Sequence, residues 1–392
     1  MNTVLRTAVA TSLSAIFLTA CSSIDAPSTT PKTTVKPATP ERPVVALVLG
    51  GGGLRGFAHV GAIQALEENG IYPNMVVGTS AGAIVGSMYA AGKDSKSLTN
   101  IALRLSPHEL IDFSPSKQGL ATGEKLRQYI NAQTGNRPIE QLPIRFVAVA
   151  TDMQDKKAVA FSSGETGLMV QASASVPNFF VPPRIPVDTG KKYIDGSNTA
   201  LLPAAIAKEL GADVVISVDI MANAKDRTNA QHDLEHQDKN TNNTISIGRD
   251  DKGITAKWGK DTFNIPIDLS QIDKATKDLP FELPLGEIIG GVLGAFPQIA
   301  EIPLPKGLPN TLPKSQEEFY QFLGNIGINN KAKAADIKAS DVLIQPQTYK
   351  VGFGQEDRQA LITSGYQATL AQIPAIKDAI QNAKYTLVGT TQ

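Results

Sequence analysis

Asn74-Met75-Val76-Val77-Gly78-Thr79-Ser80-Ala81-Gly82 is the stretch on which the fold turns. An apolar run that reads as a buried strand feeds Gly78-Thr79-Ser80-Ala81-Gly82, a G-x-S-x-G turn. A helix is expected to follow from Ala83 to Ala91, with small residues facing inward. In a nucleophile elbow the chain reverses so tightly that a Cβ at either flanking glycine would clash, and the serine hydroxyl is pushed out over the sheet edge. The pattern alone is weak in a chain with 33 glycines, so its surroundings decide.

About 28 residues upstream lies a second glycine-rich turn, Gly50-Gly51-Gly52-Gly53-Leu54-Arg55-Gly56. It follows the apolar run Val44 to Leu49 and opens a helix over Phe57 to Glu68, with Ala58, Ala62, Ala65 and Leu66 at helical spacing and Gly70 just beyond. Four consecutive glycines cost backbone entropy, and they make sense where N–H groups must approach negative charge at a helix N-terminus. Gly51, Gly53 and Gly56 satisfy G-x-G-x-x-G, but a dinucleotide site needs an acid at the end of the next strand, and Asn74 to Gly78 carries none. A phosphate-binding P-loop fails as well, because Phe57 stands where lysine is required. An oxyanion hole beside Ser80 remains. Two consecutive strand–turn–helix units in one parallel sheet put both turns at the same edge, so the fold class is α/β.

A serine nucleophile needs a base. The chain has four histidines, His59, His108, His232 and His236. His232 and His236 sit in a charged run with no apolar face and lack the H-E-x-x-H order of a metal site, and His59 reads as a packing residue. Asp195 is the better base. A short strand, Lys192-Tyr193-Ile194, delivers it, and Gly196 lets the chain turn. A desolvated aspartate beside a serine hydroxyl serves as general base without histidine. Asp152 and Asp219 also end strands on the active edge of the sheet, where either could assist the chemistry, although acids there commonly cap turns.

Taken together these residues resemble the patatin-like phospholipases, serine lipid acyl hydrolases that use a Ser–Asp dyad. Gly51 to Gly56 matches the family's oxyanion motif with Arg55 at its arginine, Gly78 to Gly82 the elbow, and Asp195-Gly196 the catalytic D-G. Ala172-Ser173-Ala174-Ser175-Val176-Pro177 resembles the A-S-x-S-x-P segment between them. The resemblance implies a three-layer α/β fold with a mainly parallel central sheet, Ser80 and Asp195 as the dyad, and an oxyanion hole of Gly51, Gly52 and Gly53 with Arg55 steadying the loop or the developing charge. It implies a phospholipid or other fatty acyl ester as substrate, of phospholipase A or lysophospholipase type, and no cofactor or metal. Ser197 departs from the family, which usually has glycine or alanine after D-G.

The first twenty residues read as a secretory signal: Arg6, a short apolar run from Ala8 to Ala20 too brief to span a bilayer, then Leu18-Thr19-Ala20-Cys21, which resembles a bacterial lipobox. Cys21 is the sole cysteine, so no internal disulfide and no cysteine metal site can form. Lipidation at Cys21 is expected, and Ser22 after it favours the outer membrane. Residues 21–42 are rich in Pro, Ser and Thr and read as a disordered tether. Loss of Arg6 from 37 basic and 37 acidic groups leaves a net charge of −1, which argues against nucleic acid as a partner and leaves the lipid anchor to hold the membrane.

The catalytic core is expected over 43–221, with further buried strands at Ile144 to Ala150 and Asp213 to Asp219. Residues 222–335 form an insertion. Its stretch 222–262 is polar and reads as a mobile loop region. Residues 279–309, including Ile288 to Phe296, are apolar and broken by Gly and Pro, and read as either a packed helix or a lid. Residues 336–392 complete the core with a strand at Asp341 to Ile344 and a helical stretch from Asp357 to Ala383. Two rivals to hydrolysis stay open: transacylation through the same dyad, and a noncatalytic lipid- or partner-binding envelope lipoprotein.

Overall fold

The structure, a computed structural model, describes residues 42–116, 118–222, 244–250, 253–258, 261–265, 300–303, 331–348 and 354–389. The signal, the tether with Cys21, His232, His236 and the segment Ile288 to Phe296 lie outside the described residues.

Five apolar strands run parallel through the centre: β1 (Val45–Leu49), β2 (Met75–Thr79), β5 (Arg145–Asp152), β9 (Val214–Val218) and β14 (Val342–Ile344), in the order β14-β9-β1-β2-β5. The sheet is finished on the β5 side by antiparallel strands: β8 (Lys191–Asp195), then β7 (Arg184–Ile185), with β6 (Ala158–Phe161) also pairing to β5. The fold is therefore α/β with a mainly parallel sheet.

Alternate residues of each central strand enter two separate cores. Leu47, Leu49, Val76, Phe146 and Ile216 belong to the larger one, beneath α1 (Phe57–Glu68), α2 (Ala81–Ala90), α3 (Ser95–Arg104) and α5 (Glu124–Gln133). Ala46, Val48, Val77, Val147 and Val215 belong to the smaller one, against Ala204 and Ala207 of α7 (Ala204–Glu209). Because both faces are covered, the strands are apolar along most of their length, with polar residues mainly at their ends, which is why they stand out in the sequence. The result is three layers.

The C-terminal part packs on both faces, its short first helix against α7 on the smaller one and its last two helices on the larger one. The helical stretch expected there is two helices, α9 (Gln355–Leu370) and α10 (Ile373–Gly389), preceded by α8 (Ala334–Ala339). Helices α1 and α9 touch backbone to backbone. A Cβ on Gly61 would overlap the Ile362 carbonyl, and one on Gly365 would overlap the Ala58 carbonyl. Only glycine at both positions lets segments some three hundred residues apart approach so closely.

The insertion corrects one expectation. Where a mobile loop region was expected over 222–262, the chain forms β10 (Thr244–Asp250), β11 (Gly253–Trp258) and β12 (Asp261–Ile265), joined by β13 (Ala300–Pro303) in an antiparallel sheet of order β12-β11-β10-β13. The physical reason is period two. Ile245 and Ile247, then Ile254, Ala256 and Trp258, then Phe263 and Ile265 alternate with polar residues, and the register pairs these positions with one another: Ile245 with Trp258, Ile247 with Ala256, Ala256 with Phe263, Ile254 with Ile265. Polar intervening residues mask such strands in average composition.

Candidate active site

Sheet register brings three loops to one level. Leu49 pairs with Gly78, so the glycine turn leaving β1 and the Ser80 turn leaving β2 begin side by side. Thr79 pairs with Val149 of β5, and Ala150 pairs with Asp195 at the end of antiparallel β8. Asp195 thus arrives from the opposite direction at the edge where Ser80 emerges. Gly56 and Ala81 bring the first turns of α1 and α2 together, since a Cβ on Gly56 would lie 2.8 Å from that of Ala81.

Ser80 has φ 53° and ψ −119°, a conformation rare for a residue with a side chain and associated with functional strain. Its neighbours make the turn possible: a Cβ on Gly78 would press on Gly82, and one on Gly82 would overlap the Leu49 carbonyl. Helix α2 starts at once, with Ala83 and Ile84 N–H groups donating to the Ser80 carbonyl at 2.9 and 3.0 Å. The Ser80 N–H donates to Ser173 Oγ at 2.9 Å, and that hydroxyl donates to the Val149 carbonyl at 2.6 Å.

Ser80 Oγ donates to Asp195 Oδ2 at 2.6 Å, and both residues are buried. The other carboxylate oxygen, Oδ1, accepts from the Ser197 N–H at 2.7 Å. Asp195 is 3% exposed. Burial pushes its carboxyl above the usual carboxylate range, while the Ser80 hydroxyl and the Ser197 N–H pull the other way. Its backbone is fixed too: the N–H donates to the Ser175 carbonyl at 2.8 Å, and the carbonyl accepts from Thr151 Oγ1 at 3.0 Å and Asn198 Nδ2 at 2.8 Å. Gly196 is required behind it, because a Cβ there would overlap the Val149 carbonyl. Such a pair can shift a proton from hydroxyl to carboxylate as the oxygen attacks an electrophile.

The segment Ala172 to Pro177 therefore has a physical task that sequence reading did not supply. Ser173, at the end of α6 (Thr166–Ser173), holds Ser80 by its side chain, and Ser175 holds Asp195 by its carbonyl. The signal in the sequence was two serines at i, i+2 in a segment resembling A-S-x-S-x-P, which names no partner.

The glycine turn requires a correction. The Gly51 N–H donates to the Leu201 carbonyl at 2.9 Å, so it is not available to an oxyanion, and Gly51 does not line the cavity beside Ser80. The N–H groups of Gly52 and Gly53 have no acceptor among the described residues, and both residues line that cavity. Arg55 is 3% exposed within the short 3-10 turn Gly53–Gly56 and does not line the cavity either. The departure at Ser197 is accommodated at close range, with its Oγ lying directly over Gly51.

The strand-end acids are turn caps. Asp152 Oδ1 accepts from the N–H groups of Gln154 and Asp155, and Oδ2 pairs with Lys191 at 2.9 Å. The Asp155 N–H and the Lys191 ammonium hold its carboxyl below the usual range. Asp219 accepts from the Met221 N–H at 2.9 Å. Among the described residues no group of His, Cys, Asp or Glu is placed to hold a metal ion, and no helix is long and apolar enough to cross a membrane.

From Ser80 a cavity of about 230 Å³ runs beneath α1, α2 and α3. Its walls are apolar side chains such as Phe57, Ile84, Met88, Leu98, Ile101 and Phe179, and its polar end carries Ser80, Asp195, Ser197 and Asn198. Phe179 meets Phe180 edge to face at 4.8 Å.

A sequence profile of patatin-like phospholipases matches residues 47–208. An uncharacterized NTE family protein of Mycobacterium bovis is 38% identical over 184 residues, 45% of this chain and 49% of that protein. Lysophospholipase NTE1 of Coccidioides immitis is 35% identical over 184 residues, 45% of this chain and 12% of that protein. The chain thus spans about half the length of the mycobacterial relative and a small part of the fungal one. Among solved structures, VipD from Legionella pneumophila overlays with a TM-score of 0.46 at 14% identity, covering 86% of this chain and 67% of that one. The matched span contains the glycine turn, the Ser80 elbow and Asp195, so over residues 47–208 the chain is similar to the patatin-like phospholipases.

Proposed function

We propose that the protein is a serine lipid acyl hydrolase that cleaves fatty acyl esters. The observation that carries this reading is the 2.6 Å bond between Ser80 Oγ and buried Asp195 at the polar end of an apolar cavity. The acyl chain lies along the apolar walls, where each of its methylenes taken out of water contributes roughly 0.8 kcal/mol. Ser80 Oγ attacks the ester carbonyl and Asp195 takes its proton. The tetrahedral oxyanion accepts from the N–H groups of Gly52 and Gly53, near the N-terminal end of α1. Asp195 returns the proton to the departing alcohol, leaving an acyl-Ser80 ester. Water, deprotonated by Asp195, then releases the fatty acid. A lysophospholipase relative and the family match support a phospholipid or lysophospholipid as the ester.

The decisive experiment incubates the purified full-length chain with mixed phospholipids and follows the lipid species by mass spectrometry beside Ser80→Ala. Free fatty acid and lyso-product from the wild type alone are expected, and no difference between the two would overturn the reading. The same reading includes a lipid anchor at Cys21 and an outer-membrane location, supported by Leu18-Thr19-Ala20-Cys21 and Ser22. Intact-mass analysis of the N-terminus should find acyl chains on Cys21. An unmodified N-terminus elsewhere would sink the anchor and leave the hydrolase standing.

A further inference from the structure

His59 lies in the first turn of α1, beside the glycine loop, and it does more there than fill space. It is fully buried, and its Nε2 lies 2.8 Å from the Gly50 carbonyl oxygen. A carbonyl oxygen only accepts, so Nε2 carries the proton. Nδ1 is then a bare lone pair, and it has no partner among the described residues. A buried polar atom left unpaired costs free energy, of order 1–3 kcal/mol, that leucine at the same place would not incur. Burial also drives the imidazole pKa down to about 4, so the ring is neutral in ordinary buffers.

The bond falls on a particular peptide unit. The Gly50 carbonyl and the Gly51 N–H belong to the same peptide plane. His59 takes the carbonyl, and the Leu201 carbonyl takes the N–H at 2.9 Å. The preceding Gly50 N–H donates to the Val218 carbonyl at 3.1 Å, which ties the plane to the end of β9. A chain of four glycines has no side chains to hold it, so nothing intrinsic fixes which way successive N–H groups point. With the Gly50–Gly51 plane pinned at both ends, the next two N–H groups, of Gly52 and Gly53, are the ones left without an acceptor among the described residues, in residues that line the cavity.

We propose that His59 is a positioning residue for the reaction: it clamps the Gly50–Gly51 peptide so that the Gly52 and Gly53 N–H groups meet the oxyanion formed at Ser80. The inference rests on the hydrolase reading above for its kinetic consequence and on geometry alone for the clamp. Preorganised donors act by being fixed before charge develops, and a displacement of about 1 Å costs on the order of 10²-fold in rate.

The test compares full-length wild type, His59→Gln and His59→Leu on a short soluble ester, with hydrogen exchange of the 50–53 segment read by mass spectrometry. Gln places an amide N–H where Nε2 stood, and Leu fills the space without a donor. His59→Leu should lose about 10²-fold in kcat with KM changed less than about twofold, and its loop should exchange faster. His59→Gln should keep kcat within about fivefold and the loop protected. A purely packing role predicts the reverse order, with Leu active and Gln impaired. Retained kcat in Leu, equal losses in both variants, or unchanged loop protection in Leu would each overturn the proposal. Should His59→Leu fail to fold, His59→Asn, whose amide stops short of Gly50, takes its place with the same expected loss. If the wild type turns over no ester, the hydrolase reading fails, and loop exchange alone still decides the clamp.

Discussion

The two sheets of this chain use the same alphabet differently. The parallel sheet is apolar at nearly every central position because both faces are covered, and its strands end in turns whose geometry is specified atom by atom at Ser80, Asp195 and the glycine loop. The antiparallel sheet β12-β11-β10-β13 alternates apolar and polar residues along its strands, and those strands take no part in that edge. Chemistry gathers where strand ends from several parts of the chain reach one edge. Leu49 pairs with Gly78, Thr79 with Val149 and Ala150 with Asp195, so strand ends far apart in sequence finish within two residues of one level. If this contrast is right, damage at the edge of the first sheet is severe in rate, and damage to the second is mild.

The largest effect should come from the dyad. Ser80→Ala and Asp195→Asn are each expected to cut ester turnover by at least about 10³-fold, and combining them should cost little more, because the two act as one unit. Stability should move the other way for Asp195. Its folded carboxyl is pushed up by burial, so ionising it at neutral pH works against folding, and stability is lost as pH rises through the folded value. Asp195→Asn should therefore melt higher than wild type at pH 7 while being inactive. A lower melting temperature would show that the carboxylate is structural. The same raised value places the acid limb of kcat above the ordinary aspartate range, which a pH–rate profile measures.

A smaller loss is expected one step back from the dyad. Ser173→Ala removes the acceptor for the Ser80 N–H at the strained turn, and leaves Val149 without its hydroxyl donor. We expect a fall in kcat of about 10–100-fold with KM nearly unchanged, and a loss of stability of about 1–3 kcal/mol. A change in KM alone would place Ser173 in binding and not in turn geometry.

His59 gives a pH signature of its own. Its folded pKa, about 4, lies below the ordinary 6.5, so the unfolded chain binds the proton first as pH falls. Its contribution is fully present above pH 6.5 and is lost between there and about 4, to the extent of on the order of 3 kcal/mol. His59→Gln should flatten that part of the stability curve measured by denaturant at pH 7 and pH 5. An unchanged slope would mean that other groups set it.

How much of this was legible follows from the same contrast. The apolar runs at Val45, Met75 and Val214, the elbow at Ser80 and the D-G turn at Asp195 could be read because their constraints are local: a strand buried on both faces, or a turn only glycine permits. The commitment of the Gly51 N–H to Leu201 could not, because it depends on a carbonyl 150 residues away. Neither could the roles of Ser173 and His59, each defined by the group it touches and not by its neighbours in sequence. The strands of the insertion were legible in principle. Ile245-Ser246-Ile247 and Phe263-Asn264-Ile265 alternate cleanly, but averaging over 222–262 hid a period of two behind a polar composition.

The smallest effect should come from breaking that second sheet. Ala256 lies in β11, which is paired on both sides: Ala256 stands opposite Ile247 of β10 and opposite Phe263 of β12. Proline there removes a ladder donor from a central strand, a position at which it is almost never tolerated. Ala256→Pro should therefore disrupt the small sheet, seen as faster hydrogen exchange over 244–265. The register that levels Ser80 with Asp195 involves β1, β2, β5 and β8 and none of the insertion's strands, so kcat on a short soluble ester should stay within about twofold. Vesicle substrates supply the second measurement, since a surface that helps draw lipid from a bilayer is not needed for a dissolved ester. A selective loss on vesicles would give the insertion a part in reaching the membrane. An equal loss on both substrates, as large as that of Ser173→Ala, would show that the two sheets are energetically one body and that the separation drawn between them is wrong.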